Sequence, residues 1–247
     1  MADTDNGEQS PSALLHALSE AREAGFLGPG PIERHLIHAE GFVALARRQE
    51  PTPSGHPHLL DLGSGGGLPG LVVADEWPEV TLVLLDAMRR RTDFLQRMVE
   101  TCGFEERVSV VQGRAELYGR DPAYRGAFDG VVVRSFGPPA VVAECAAPFL
   151  RTGGWLIVSE PPVAGARDGG DAAQNEGAGG TKGSEGDAAG PDLEEGTRWP
   201  AEALSQFGLE PIEFVRLEFG YQILRQREAC PDRFPRRDGV PARKPVF

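Results

Sequence analysis

Asp61 stands two residues ahead of Gly63, and Gly65, Gly66, Gly67 and Gly70 follow within the next few positions. Glycines at this density let backbone approach a ligand closely and take positive φ without a Cβ clash. A second acid, Asp86, closes the apolar run Val80 to Leu85. It lies about 20 residues past the glycines, the spacing at which a carboxylate meets a ribose hydroxyl. The pair of acids around a glycine loop fits a cofactor that contains a nucleoside. Asp61 bears on which one. A carboxylate at the loop entrance is a poor neighbour for pyrophosphate and a good one for a cation. S-adenosylmethionine carries an ammonium and a sulfonium but no phosphate, so charge favours it over a nicotinamide dinucleotide. The competing reading is an ordinary glycine turn with no ligand.

The elements that must position these residues are those of a parallel α/β sheet. Residues 58–62 form a first strand, interrupted by Asp61 at the carboxyl end, where such sheets place their ligand crevice. Pro69 suits the first turn of the helix that follows. Residues 80–85 make a second strand. The helix from Arg89 to Cys102 turns Phe94, Leu95, Met98 and Val99 inward. Arg89, Arg90 and Arg91 open that helix; they contact phosphate or form a solvated face, and the solvated face is favoured. Val108 to Gln112 and Phe128 to Val133 are third and fourth strands. A helix over 139–150, a strand over 155–159, a helix over 199–207 and a hairpin of 211–219 with 221–226 around Gly220 complete the fold. Ahead of the sheet, residues 11–24 and 31–48 show helical apolar spacing and form an N-terminal helical cap.

Several segments resemble the ribosomal RNA small subunit methyltransferase G family, also called glucose-inhibited division protein B. They are Asp61-Leu62-Gly63-Ser64-Gly65-Gly66-Gly67-Leu68-Pro69-Gly70, Leu84-Leu85-Asp86, and Arg90-Arg91-Thr92-Asp93-Phe94-Leu95. Glu33-Arg34-His35-Leu36-Ile37, Gly113-Arg114-Ala115-Glu116, Arg134 after the fourth strand, and the tail from Asp232 to Pro245 extend the likeness. The resemblance implies a Rossmann-like class I fold, with a seven-stranded, mostly parallel sheet and an antiparallel edge hairpin. It implies S-adenosylmethionine as cofactor, held by Asp61, Gly63, Ser64, Gly65, Gly67 and Leu68 around the methionine end, Asp86 at the ribose, and Ala115 and Glu116 at the adenine. Arg134 would guide the acceptor and touch the cofactor; its other reading is an ion pair with Asp61 or Glu116. Arg34 and His35 would meet the substrate, or form a solvated helix face. Arg236 and Arg237, in a locally basic tail, would contact RNA.

By the same resemblance the acceptor is N7 of a guanine in small-subunit (16S) ribosomal RNA. Methyl transfer is a direct displacement that needs alignment and water exclusion more than acid–base chemistry. Guanine N7 has a lone pair and no proton, so no general base and no covalent nucleophile is required. The chain agrees negatively. None of its cysteines stands in a nucleophile turn, and Gly137-Pro138-Pro139-Ala140 is not the Asn/Asp-Pro-Pro-Tyr motif that amine methylation favours. The chain departs from the family at His38-Ala39, where Asp-Ser is usual, and at Glu160-Pro161-Pro162, where Lys-Gly closes the strand. These departures motivate an alternative, a paralogue that methylates a small molecule. A second alternative is a cofactor-binding module without catalysis.

The formal net charge is −12, which argues against generic nucleic-acid binding. Half of it is local: residues 164–197 hold eight acids and two bases. That Gly- and Ala-rich stretch has too little apolar surface to offset ordering entropy, so 163–197 reads as a disordered insertion. Residues 1–10 read as disordered and 51–57 as a linker. The domain plan is therefore a cap at 1–50, a methyltransferase domain at 58–162 and 198–228, the insertion, and a tail at 229–247. Cys102, Cys145 and Cys230 lack metal spacing and point to a reducing cytoplasm, with no metal site. No apolar run is long enough to span a membrane. A monomer is expected.

Overall fold

The computed structural model describes residues 13–49, 55–161 and 198–247. The expectations for 1–10, for the 163–197 insertion and for most of the 51–57 linker lie outside the described residues. Two helices, α1 (Ala13–Glu23) and α2 (Ile32–Arg47), come first. The alternating part follows: β1 (His58–Leu62), α3 (Gly70–Glu76), β2 (Thr81–Asp86), α4 (Arg89–Thr101), β3 (Val108–Gln112), α5 (Ala115–Tyr118), β4 (Phe128–Val133) and α6 (Pro139–Ala146). A 3₁₀ turn at Ala147–Phe149 leads into β5 (Leu150–Glu160). Then come α7 (Ala201–Ser205), β6 (Leu209–Arg216), β7 (Gly220–Gln226) and α8 (Val240–Arg243).

The strands form one seven-stranded sheet in the order β3-β2-β1-β4-β5-β7-β6. Strands β1 to β5 are parallel, and β7 runs antiparallel to both of its neighbours. This is the Rossmann-like sheet with an edge hairpin that the sequence predicts. Strand order reverses between β1 and β4, and an open parallel sheet places its ligand crevice outside the carboxyl ends at such a point. Asp61 is near the end of β1 and Arg134 follows β4, so the topology brings them to the same edge.

The central strands are buried on both faces, as parallel sheets require, while the edge strands β3 and β6 are only partly covered. Leu59, Leu82, Leu84, Val132, Ile157 and Ile223 point to one side, where α1, α2, α3 and α4 cover them. Leu60, Leu62, Val83, Leu85, Val131 and Leu156 point to the other, beneath α6 and α7. This period of two fixes each strand's register, because a slip of one residue would exchange the faces. β5 begins at Leu150, earlier than the expected 155, because Leu150 pairs with Phe128 ahead of an irregularity in the ladder.

The tail is folded onto the body, with Phe234 buried edge-on against Phe207 at 4.7 Å between ring centroids. Arg125 donates to the carbonyls of Phe234 and Cys230 at 2.8 and 2.6 Å. No helix among the described residues is long and apolar enough to cross a membrane.

Candidate active site at the carboxyl edge of the sheet

The loop between β1 and α3 is pinned from both sides. Gly63 and Ser64 donate N–H to the carbonyl of Leu85 at 2.8 and 3.1 Å. The N–H of Gly65 donates to Asp86 Oδ2 at 2.9 Å, and that of Met88 to Oδ1 at 2.8 Å. Arg91 lies 3.6 Å from Asp86 Oδ2. The solvated face expected for 89–91 therefore holds for Arg89, which pairs with Asp93 on its own helix, but not for Arg91. Its place five residues past Asp86, one helical turn beyond the strand end, is the signal that could have found it.

Asp61 is 1% exposed and lies beneath the loop. Its Oδ2 accepts from Gly70 N–H at 3.0 Å, and Ser64 Oγ donates to its carbonyl at 2.9 Å. Oδ1 has no partner among the described residues. Burial pushes the carboxyl up to about 7, against the Gly70 hydrogen bond and the charge of Arg134.

Arg134 is the centre of the edge. One Nη2 meets His35 Nδ1 at 2.6 Å, and His35 Nε2 lies 3.0 Å from the carbonyl of Gly28. The guanidinium can only donate, so Nδ1 accepts and Nε2 carries the proton toward Gly28. Burial lowers the His35 pKa and keeps the ring neutral, as this relay requires. Arg134 Nη1 is buried and has no partner among the described residues. Burial also lowers the Arg134 pKa, with Asp61 as the main opposing charge. Ser135, next in sequence, has φ of 56°, the left-handed region that a serine rarely adopts.

Three adjoining compartments open here. The first, about 230 Å³, is lined by Gly63, Asp86, Ala115, Glu116, Cys145 and Ala242 among others. The second, about 160 Å³, lies between Ser64, Gly65, Leu68, Arg91 and Arg134. The third, about 640 Å³, runs from Arg134 and Phe136 to Glu160, Arg198 and Trp199, with His38 and Phe219 on one side. Gly63 lines the first two, Arg134 the last two, and Phe136 the first and third. At Gly63 φ is 78°, and an added Cβ would come 2.6 Å from Phe136 Cδ2, so glycine is required there.

Of the residues read from sequence, Gly63, Ser64, Gly65, Leu68, Asp86, Ala115, Glu116 and Arg134 line these compartments. Gly67 instead packs on Leu71 and Leu95, and Asp61 supports the loop from below. His35 lies behind Arg134 and orients it. Arg34 is exposed, with its guanidinium 5.5 Å from the Phe219 ring centre. Arg237 is exposed. Arg236, expected at RNA, is joined to Glu144 of α6 through Nε and Nη2. The reason is burial: Glu144 is 0% exposed and needs a cation, which no periodicity of α6 announces. Glu160, standing where the family usually has Lys-Gly, pairs with Arg198 of the same chain and accepts from Trp199 Nε1 at 2.7 Å. His38 stacks on Phe219 at 4.1 Å, and burial drives its pKa down to about 3. Phe136, Phe219 and Trp199 were not singled out in the sequence, because aromatic residues carry no spacing signal of their own.

The model of the family described as rRNA small subunit methyltransferase G matches residues 31–160, more than half of the chain. The chain belongs to this family. The ribosomal RNA small subunit methyltransferase G of Deinococcus deserti is 33% identical over 96% of this chain and 87% of its own. That of Leuconostoc mesenteroides is 28% identical over 86% and 79%. Membership makes the chain a methyltransferase that uses S-adenosylmethionine. Among solved structures, a putative O-methyltransferase from Klebsiella pneumoniae has a TM-score of 0.55 at 14% identity, covering 90% of this chain and 93% of its own. A methyltransferase from Geobacter sulfurreducens also has a TM-score of 0.55, at 15% identity over 89% and 90%. Both share the fold of this methyltransferase G member.

Proposed function

We propose that this protein transfers the methyl group of S-adenosylmethionine to N7 of a guanine in 16S ribosomal RNA, acting as a cytoplasmic monomer on the small ribosomal subunit. The observation that carries the reading is the shared wall. A nucleoside-sized compartment bearing two carboxylates meets a large aromatic-lined compartment at Phe136, and Arg134 joins that large compartment to the smaller second one.

The residues fit the cofactor. Asp86 and Glu116 are acceptors suited to hydroxyl and amino donors, and they oppose a phosphate. The second compartment carries Arg91 and Arg134, which complement an amino-acid carboxylate. Orphaned polar atoms on buried Asp61 and Arg134 provide unmatched acceptor and donor capacity at the same edge. When bound, the cofactor supplies an electrophilic methyl on a sulfonium. The chain's own part is positioning. Phe136, Trp199 and Phe219 line the large compartment and exclude water from it, the aromatic surround that an unstacked base requires. Arg134 holds the acceptor base edge or its phosphate, because its fork binds either bidentately. No side chain has to remove a proton from N7.

The small-molecule alternative draws on Glu160 and the acidic balance. Arg198 neutralises Glu160 locally, so the compartment rim is not left anionic. The reading is tested by methyl transfer from labelled S-adenosylmethionine to small subunits lacking their native N7 methyl group. Arg134→Ala is expected to lower incorporation by about a hundredfold or more, the scale for one removed transition-state donor. Equal incorporation by the variant would overturn the role of Arg134.

A further inference from the structure

The segment after β7 makes contacts that the methyl-transfer reading does not use, and those of residues 236–242 reach one wall. Glu144, fully buried in α6, receives Arg236 N–H and Nε on Oε1 at 2.8 Å each, and Nη2 on Oε2 at 2.6 Å. The next residue, Cys145, lines the nucleoside compartment. Asp238 pairs with Arg114, which also lines it. Gly239 turns with φ of 69°, a conformation that favours glycine, and its N–H donates to Glu116 Oε1 at 2.8 Å. Ala242, one turn further, lines the compartment itself. Burial alone would raise the Glu116 pKa, but Gly239 N–H and Arg114 outweigh it, and the carboxyl sits below its ordinary value.

We infer that the C-terminal segment is the closing wall of the adenosine-binding compartment, and that Arg236 is a positioning residue anchoring this wall to Glu144. The inference rests on reading that compartment as the S-adenosylmethionine site. The anchoring explains why a basic tail is folded against the body of an acidic protein. Arg236 fixes the chain on α6. The turn at Gly239 then delivers an N–H to Glu116, so that the carboxylate stays ionised and oriented as an acceptor. Ala242, small and exposed, borders the nucleoside end without filling it. A wall built in this way acts on the adenosine half of the ligand and not on the methionine half.

Calorimetric titration of the full-length protein with S-adenosylmethionine, and separately with adenosine, tests this. Arg236→Ala is expected to weaken both ligands by about tenfold or more, because both use the same wall, and Arg236→Lys to recover part of the loss. Ala242→Trp changes an exposed residue, so the melting temperature stays near wild type while both affinities fall by a similar factor. If Arg236→Ala does not fold, Ala242→Trp decides alone. Folded variants that bind both ligands within twofold of wild type would overturn the inference, as would a loss for S-adenosylmethionine with none for adenosine. A wild-type protein that binds neither ligand would instead remove the cofactor reading, and this inference with it.

Discussion

Arg134 sits where the second and third compartments meet; His35 holds one of its nitrogens, and another is unmatched among the described residues. His35→Ala is expected to free the guanidinium and lower kcat/KM by about ten- to a hundredfold, the cost of a misplaced positioning group. Melting should change little beside that loss, and unchanged kinetics would separate the two residues. Asp61 gives a prediction with a sign. Its carboxyl titrates at 3.8 when unperturbed and at about 7 in the fold. Between those values the folded chain holds the extra proton. The stability from this group is fully present below about pH 4 and is lost as pH rises through about 7. Asp61→Asn should flatten the fall in melting temperature between pH 4 and pH 8 in the ligand-free protein. Parallel profiles for the two proteins would contradict the burial argument. The sequence pointed to Asp61 as a ligand-facing anion. It could not tell that the carboxylate turns under the loop to Gly70, since strand alternation places a side chain on a face but not at a depth.

The elements were more legible than the roles of single residues. Apolar runs with an acid near the carboxyl end revealed β1 and β2, and from them the parallel sheet and its crevice, because burial on both faces leaves a strong signal. Less legible was what joins elements distant in sequence. Arg236 on Glu144, Arg198 on Glu160 and His35 on Arg134 each span many residues, and charge has no periodicity that reveals a partner. The glycine loop belongs to this scale too, since Gly63, just past β1, packs against Phe136, just past β4. Gly63→Ala puts a Cβ 2.6 Å from the Phe136 ring at a φ of 78°. The backbone strain alone costs roughly 1–2 kcal/mol. Displacing Phe136 disturbs the wall shared by two compartments. Cofactor affinity in calorimetry is expected to fall by about tenfold, with a lower melting temperature. A variant that melts lower but binds normally would show that Phe136 adapts without moving the shared wall.

At the scale of the whole molecule, the net charge of −12 and an RNA acceptor stand in tension. Half of that charge lies in residues 164–197, the stretch of sequence between Pro161 and Arg198, and what matters for an RNA is the field at the site. Arg34, Arg91, Arg134 and Arg198 are gathered around the compartments, and their known acidic partners, Asp86 and Glu160, are held close. A locally balanced edge on an acidic protein suits an acceptor presented by an assembled particle, where orientation rather than bulk phosphate attraction provides selectivity. The most direct measurement is therefore to map the methylated atom. Small subunits lacking their native N7 methyl group are incubated with the protein and S-adenosylmethionine, and the RNA is digested and analysed by mass spectrometry. A single 7-methylguanosine, absent with Arg134→Ala, is the predicted result. Methylation of another atom, or tight cofactor binding with no methyl in the RNA, would contradict it.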